Sequence, residues 1–145
     1  MGNICRSPLA EGIFNSLIEK NKGSQHFETD SAGTSNYHIG KLSDPRTLKN
    51  SRANGLNLTH RARQFKTSDF YEFDYIIAMD DSNLNDILKI KPDGELNVKL
   101  LKMRHFDPIN KNADVPDPWS GGEKGFEEVY QILNRCCQNF YNSIV

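Results

Sequence analysis

From Leu9 the apolar residues come in pairs, Leu9 and Ala10, Ile13 and Phe14, Leu17 and Ile18. This spacing makes one stripe of a helix with about 3.6 residues per turn. Ser7 stands where an N-cap belongs, and Pro8 stands at the first helical position, where a missing N–H costs nothing. The spacing therefore predicts a helix opening at Ser7-Pro8. Phe27 to Ser31, running into Ala32-Gly33, reads as a short strand ending in a turn. Asp44-Pro45 opens a second helix, which Gly55 closes. Tyr75-Ile76-Ile77-Ala78-Met79 is a continuous apolar run of strand length, the pattern of a strand covered on both faces. Asp80-Asp81-Ser82 then caps a helix carrying Leu84, Ile87 and Leu88, and Val98 to Met103 supplies another short strand. In the last helix Phe126, Val129, Tyr130, Leu133, Cys136, Cys137, Phe140 and Ile144 share one face, which assigns both cysteines to core filling.

Strand and helix alternate, so the expected fold class is α/β, an open parallel sheet with helices on both faces, Rossmann-like or flavodoxin-like. Ligands in such sheets bind beyond the carboxyl ends of the strands. The turn-rich stretch from Asp107 to Gly122, with Pro108, Pro116 and Pro118, is a long loop, and loops of that length are often functional. A length of 145 residues suits a single domain, 1–145.

Eighteen basic and nineteen acidic residues give a formal charge of -1. No global field then draws the chain to nucleic acid or an anionic membrane, and any anion site must be local. Three cysteines, two of them adjacent, cannot form a disulfide framework, which fits a reducing, cytoplasmic setting. No run of eighteen apolar residues is present, so neither a signal peptide nor a spanning helix is expected.

Gly2-Asn3-Ile4-Cys5-Arg6 is a tight loop leading straight into the first helix. Successive N–H groups in such a loop, with the positive end of the helix dipole and the fork of Arg6, suit a dianionic phosphate. On these grounds alone, anion binding and an ordinary capped helix both remain open. Met1-Gly2-Asn3-Ile4-Cys5-Arg6-Ser7-Pro8 further resembles the phosphate loop of the low-molecular-weight protein tyrosine phosphatases, C-x-G-N-x-C-R-S-P, at every position except the first cysteine. The resemblance places that nucleophilic cysteine immediately before Met1, at the end of a first strand also lying before Met1, and so implies a four-stranded sheet and a domain that is N-terminally incomplete. It assigns Gly2, Asn3, Ile4, Cys5, Arg6 and Ser7 to phosphate binding, with Cys5 a redox neighbour of the nucleophile.

Val115-Pro116-Asp117-Pro118-Trp119-Ser120-Gly121-Gly122 resembles the second signature of that family. A lone Asp-Pro usually marks only a turn, but paired with the phosphate loop it implies that Asp117 is the general acid, with Asp114 the nearby rival. The implied chemistry is hydrolysis of phosphotyrosine in proteins, and of small aryl phosphates, through a phosphocysteine, with no cofactor and no metal. Arg6 and Asp117 are then catalytic, and Ser31, His60 and Asp80 brace the loop. Tyr37, His38 and Trp119 form the substrate cleft. The implied partners are phosphotyrosine proteins met by a monomer or weak dimer. Arsenate reductases of the same fold carry two further cysteines after the third strand, and between Tyr75 and Met103 there is none. A non-catalytic phosphate-binding protein is the alternative if the nucleophile is absent.

Overall fold

In a computed structural model of the chain, Gly2, residues 5–21 and residues 26–145 are described, apart from the side chain of Ser120. Helix α1 spans Arg6–Lys20 and starts earlier than the Ser7-Pro8 signal indicates. Cys5 occupies the N-cap position, and Leu9 N donates to Cys5 O at 3.4 Å. Ser7 is thus inside the helix rather than capping it, and Pro8 is its third residue. Proline is tolerated there for the same reason as at the first position, because the opening N–H groups of a helix have no intrahelical acceptor. The apolar stripe buries Leu9, Ala10, Ile13, Phe14 and Ile18 as its spacing requires.

Helix α2, Pro45–Ala53, is capped by Asp44, whose carboxylate accepts from Arg46 N at 2.8 Å. Just past its end Gly55 adopts φ +80°, a conformation a side chain would strain. A short helix α3, Asp69–Glu72, follows; its four residues are too few for a periodic signal. Strand β1, Tyr75–Ala78, leads into α4, Asp81–Lys89, capped by Asp80. Strand β2 is Lys99–Lys102, and a 3-10 turn spans Met103–Phe106. The loop from Asp107 includes a second 3-10 turn, Pro118–Ser120, before the 23-residue helix α5, Gly122–Ile144. Cys136 and Cys137 are buried in α5 as expected, together with Ile132 and Tyr141, which widen the predicted face.

β1 and β2 pair in parallel, Tyr75 opposite Lys99 through Ala78 opposite Lys102. Among the described residues this two-stranded ladder is the whole sheet, where four strands were expected. Phe27 to Ser31 belongs to no helix and no ladder; the first pairing after it is an isolated parallel bridge between Gly33 and Gln64. The physical reason is that a strand exists only through a neighbour, and no described strand lies beside this segment. The expected strand before Met1 lies outside the described residues.

The sheet still separates two apolar layers. α1 and α5 bury Leu9, Ile13, Phe14, Leu133, Cys137 and Phe140 on one face, with Tyr75 and Ile77 turned toward them. Ile76 and Ala78 turn to the other face, against Phe70 and Ile87. The alternation along β1 is the period of two that any strand shows. No helix among the described residues is long and apolar enough to cross a membrane.

Candidate active site

The opening turn of α1, the turn after β1 and the loop before α5 converge at the carboxyl end of the sheet. Arg6 is their meeting point. Its Nη1 donates to Asp80 Oδ2 and to Val115 O, each at 2.7 Å, and Nη2 reaches Asn83 Oδ1 at 3.5 Å. The guanidinium is only 8% exposed. Asp80 and Val115 engage Nη1 and so lock the plane of the group. Asp80 does double duty, because its other oxygen caps α4 by accepting from Asn83 N at 2.7 Å.

Arg6 and Asp117 line one cavity of about 830 Å³, together with Gly2, Cys5, Ser7, Tyr37, His38 and Trp119. The His38 ring packs directly against Gly2, so a Cβ at this position would push the ring aside. Asn3 and Ile4, also assigned to phosphate binding, lie outside the described residues. Asp117 is exposed, and its Oδ1 accepts from Trp119 N at 3.1 Å, opening the second 3-10 turn. Trp119 and Tyr37 are exposed rings at the rim, 51% and 79% accessible. Asp114 is engaged elsewhere: it accepts from Lys102 Nζ at 2.7 Å and from Asp81 N at 3.0 Å. The hydrogen bond from Lys102 holds its carboxyl below the ordinary value, the wrong direction for donating a proton near neutrality.

Sequence reasoning missed Arg46. Its guanidinium lies 4.7 Å from the Trp119 ring centroid and 4.8 Å from that of Phe126, and Nη1 donates to Trp119 O at 3.3 Å. It also grips Asp44 through Nε at 3.2 Å. Burial pushes Asp44 up, but the side-chain and backbone hydrogen bonds from Arg46 outweigh it and the net shift is down. The Asp44-Pro45 helix start was legible, but nothing in the spacing linked it to a loop some seventy residues on.

Ser31 and His60 were expected to brace the phosphate loop, and the residue that joins them is Glu11. Glu11 Oε1 accepts from Ser31 Oγ at 2.7 Å and sits 3.2 Å from His60 Nδ1. Asp30 Oδ1 is 3.5 Å from the same nitrogen. Burial raises the Glu11 carboxyl, partly offset by Ser31 and His60. One signal was available, a charged residue two positions before the Ile13-Phe14 pair of an otherwise apolar stripe. Glu11, Asp30 and His60 bring ligand atoms within 4.8 Å of one another, the spacing of a metal site. Arg63 donates from Nε to Asp30 Oδ2 at 2.8 Å and from Nη1 to Asp69 Oδ2 at 3.0 Å, so one guanidinium links Asp30 to Asp69.

Cys5 is buried, and desolvation raises its thiol above the ordinary value. Cys136 is pushed up to about 11 by burial, and Cys137 is raised further by the same cause. A thiolate is the reactive form, so none of the three is an activated nucleophile.

Parallel strands feeding helices, with an arginine at a helix opening and a carboxylate across the cavity, define a Rossmann-like α/β protein whose site lies at the carboxyl end of its sheet. The chain belongs to the low molecular weight phosphotyrosine protein phosphatase family, whose sequence model matches residues 1–145. The family member of Schizosaccharomyces pombe is 43% identical over 145 residues, covering 99% of this chain and 92% of that protein. That of Sus scrofa is 38% identical over 145 residues, covering 99% and 91%. The crystal structure of a protein tyrosine phosphatase from Entamoeba histolytica superposes with a TM-score of 0.93 at 39% identity, covering 99% of this chain and 92% of that one.

Proposed function

We propose that the chain hydrolyses phosphotyrosine in proteins through a phosphocysteine intermediate. The observation that carries this reading is that Arg6 and Asp117, 111 positions apart in the sequence, line one cavity beside the rings of Tyr37 and Trp119. The attacking thiolate belongs to a cysteine placed immediately before Met1 by the loop pattern, since the three cysteines of the sequence are buried and raised. Attack forms the S–P bond as the P–O bond to the phenol breaks, and Asp117 gives its proton to the departing phenolate. Asp117, now ionised, takes a proton from water, whose oxygen attacks phosphorus and releases the thiolate. Arg6 and the amides of Gly2 to Ser7 carry the charge on the phosphoryl group, with no cofactor and no metal. Asp80 and Asn83 hold Arg6 in place, while Ser31 and His60, through Glu11, steady the second turn of α1. Tyr37, His38 and Trp119 receive the aryl ring. The working protein is a cytoplasmic monomer or weak dimer with a four-stranded sheet.

Hydrolysis of p-nitrophenyl phosphate tests this. Turnover abolished by thiol alkylation and reduced in Asp117→Asn supports it. Phosphate binding without turnover overturns it in favour of a non-catalytic phosphate-binding protein.

A further inference from the structure

Among the described residues the basic side chains lining the cavity are Arg6, His26, His38 and Arg63, and the charges of both arginines are already met. Arg6 Nη1 lies 2.7 Å from Asp80 Oδ2, and Arg63 donates to both Asp30 and Asp69. His26 is exposed and precedes Phe27, whose ring packs edge-on against Phe14. Phe14 stands eight positions along α1 from Arg6, about 12 Å at the rise of a helix, so His26 borders the cavity away from its Arg6 end.

His38 is placed differently. Lys41 N donates to His38 O at 2.9 Å and Gly40 N to Ala62 O at 2.7 Å, which pins the turn carrying His38 to the chain at Ala62. The half-buried imidazole is thereby held against Gly2, and the point where a Cβ of residue 2 would stand is 3.4 Å from His38 Nε2. The ring makes no side-chain hydrogen bond among the described residues. Several charged or titratable groups surround it: Asp44 and Arg46 at the opening of α2, Asp117 in the loop before α5, Arg6 and Cys5 at the opening of α1, and Lys41 and Arg61 beside its own turn. Asp44 senses it directly. Burial raises that carboxyl, the hydrogen bonds and charge of Arg46 lower it, and His38 adds to the lowering. Yet both oxygens of Asp44 are held by Arg46, Oδ1 at 3.2 Å from Nε and Oδ2 at 3.3 Å from Nη2, so the imidazole is left available.

We infer that His38 is an anion-binding residue of this site, supplying in its protonated form a second positive charge to a tetrahedral dianion held at the opening of α1. This deepens the phosphatase reading and rests on its placement of the anion beside Gly2 and Arg6. A dianion carries two charges, and Asp80 already answers the one on Arg6. The helix opening adds only about half a charge. An imidazolium lying on Gly2 supplies the remainder, and imidazole is the side chain that gains its charge between about pH 5 and 8. Substrate and product phosphate are then both held more tightly on the acid side, a role beyond bordering the aryl ring.

Inorganic sulfate is the probe, because it keeps both charges across that range, whereas a phosphate monoester titrates within it. Binding is read from the shifts of the Cys5, Arg6 and Ser7 amides of the isotopically labelled chain at constant ionic strength. Expected is a dissociation constant that rises by about tenfold from about pH 5.5 to about 8.5, as one unit charge beside a dianion is lost. His38→Gln should bind weakly and His38→Lys tightly, each with little dependence on pH. A slope in His38→Gln as steep as that of the unaltered chain overturns the proposal, since another group then sets it. Binding weakened in His38→Gln equally at both ends of the range overturns it too, as lost packing on Gly2 rather than lost charge. Absence of sulfate binding in all three proteins at every pH overturns this inference together with the phosphatase reading. The expected sulfate dependence without turnover of p-nitrophenyl phosphate overturns the phosphatase reading alone and supports the role of His38.

Discussion

The guanidinium of Arg6 meets the carboxylate of Asp80 at 2.7 Å across 74 positions of chain. A pair this close, with both partners largely out of water, fixes the first turn of α1 against the turn after β1. Removing one partner of such a pair strands the other charge, at a cost of about 3 kcal/mol. Asp80→Ala should cost that and, in addition, about 1 kcal/mol for the lost cap of α4. Asp80→Asn, which keeps an acceptor for Asn83 N, should cost only the first. Urea unfolding midpoints of the two variants measure the difference.

Arg6→Lys should retain the charge and lose the planar fork. Binding of inorganic phosphate, followed by protection of the loop amides, should weaken by about tenfold, since one ammonium cannot serve Asp80, Val115 O and an anion together. Unchanged affinity would remove Arg6 from the anion site.

Asp117→Asn should lower kcat for p-nitrophenyl phosphate by about a hundredfold or more, the range of general acid catalysis. Its unfolding midpoint should stay where it was, because Asp117 is exposed and its neutral amide can still accept from Trp119 N. Asp114→Asn should do the reverse, disturbing the contact with Lys102 while leaving kcat within about threefold, as expected of a residue outside the reacting groups.

Trp119 is the only tryptophan in the chain, so its fluorescence reports on the Asp117 loop directly. Arg46→Ala removes the cation stacked on that ring and the hydrogen bond to Trp119 O. Quenching of Trp119 by acrylamide should rise, and kcat should fall by about tenfold as the loop loses its anchor. Arg46→Lys should recover little, because a lysine does not stack as a flat guanidinium does.

Asp107 accepts from Arg104 Nε at 2.7 Å and from Arg135 Nε at 2.9 Å. Burial raises its carboxyl, but the hydrogen bonds from Arg135, Ile109 N and Arg104 prevail and hold it far below the ordinary 3.8. The folded state therefore binds this proton more weakly than the unfolded one. The stability it contributes is complete above the unfolded value and falls as pH drops below about 4 toward the folded value. Asp107→Asn should lose about 3 kcal/mol near neutrality and show a flatter acid limb in unfolding free energy against pH.

How much of this was readable in advance depends on the reach of each signal. The α5 face was legible because eight apolar positions repeat at one period, and the Asp44 and Asp80 caps because a cap is a local hydrogen bond. The α1 start was misplaced, since Ser7-Pro8 satisfies the rules at the first and the third helical position alike. Phe27 to Ser31 read as a strand but pairs with no described strand, because pairing depends on a neighbour and is not a property of those residues alone.

By itself the sequence determined the order of helices and strands, the faces that each would bury, and the two loop patterns that tie the chain to its family, because all of these are set by residues within a few positions of one another. Only the tertiary structure decided that Arg6 spends Nη1 on Asp80 and Val115, that Glu11 joins Ser31 to His60, and that Arg46 anchors Trp119. Each depends on distant main chain brought within hydrogen-bonding reach, and spacing along a sequence carries no measure of distance across a fold.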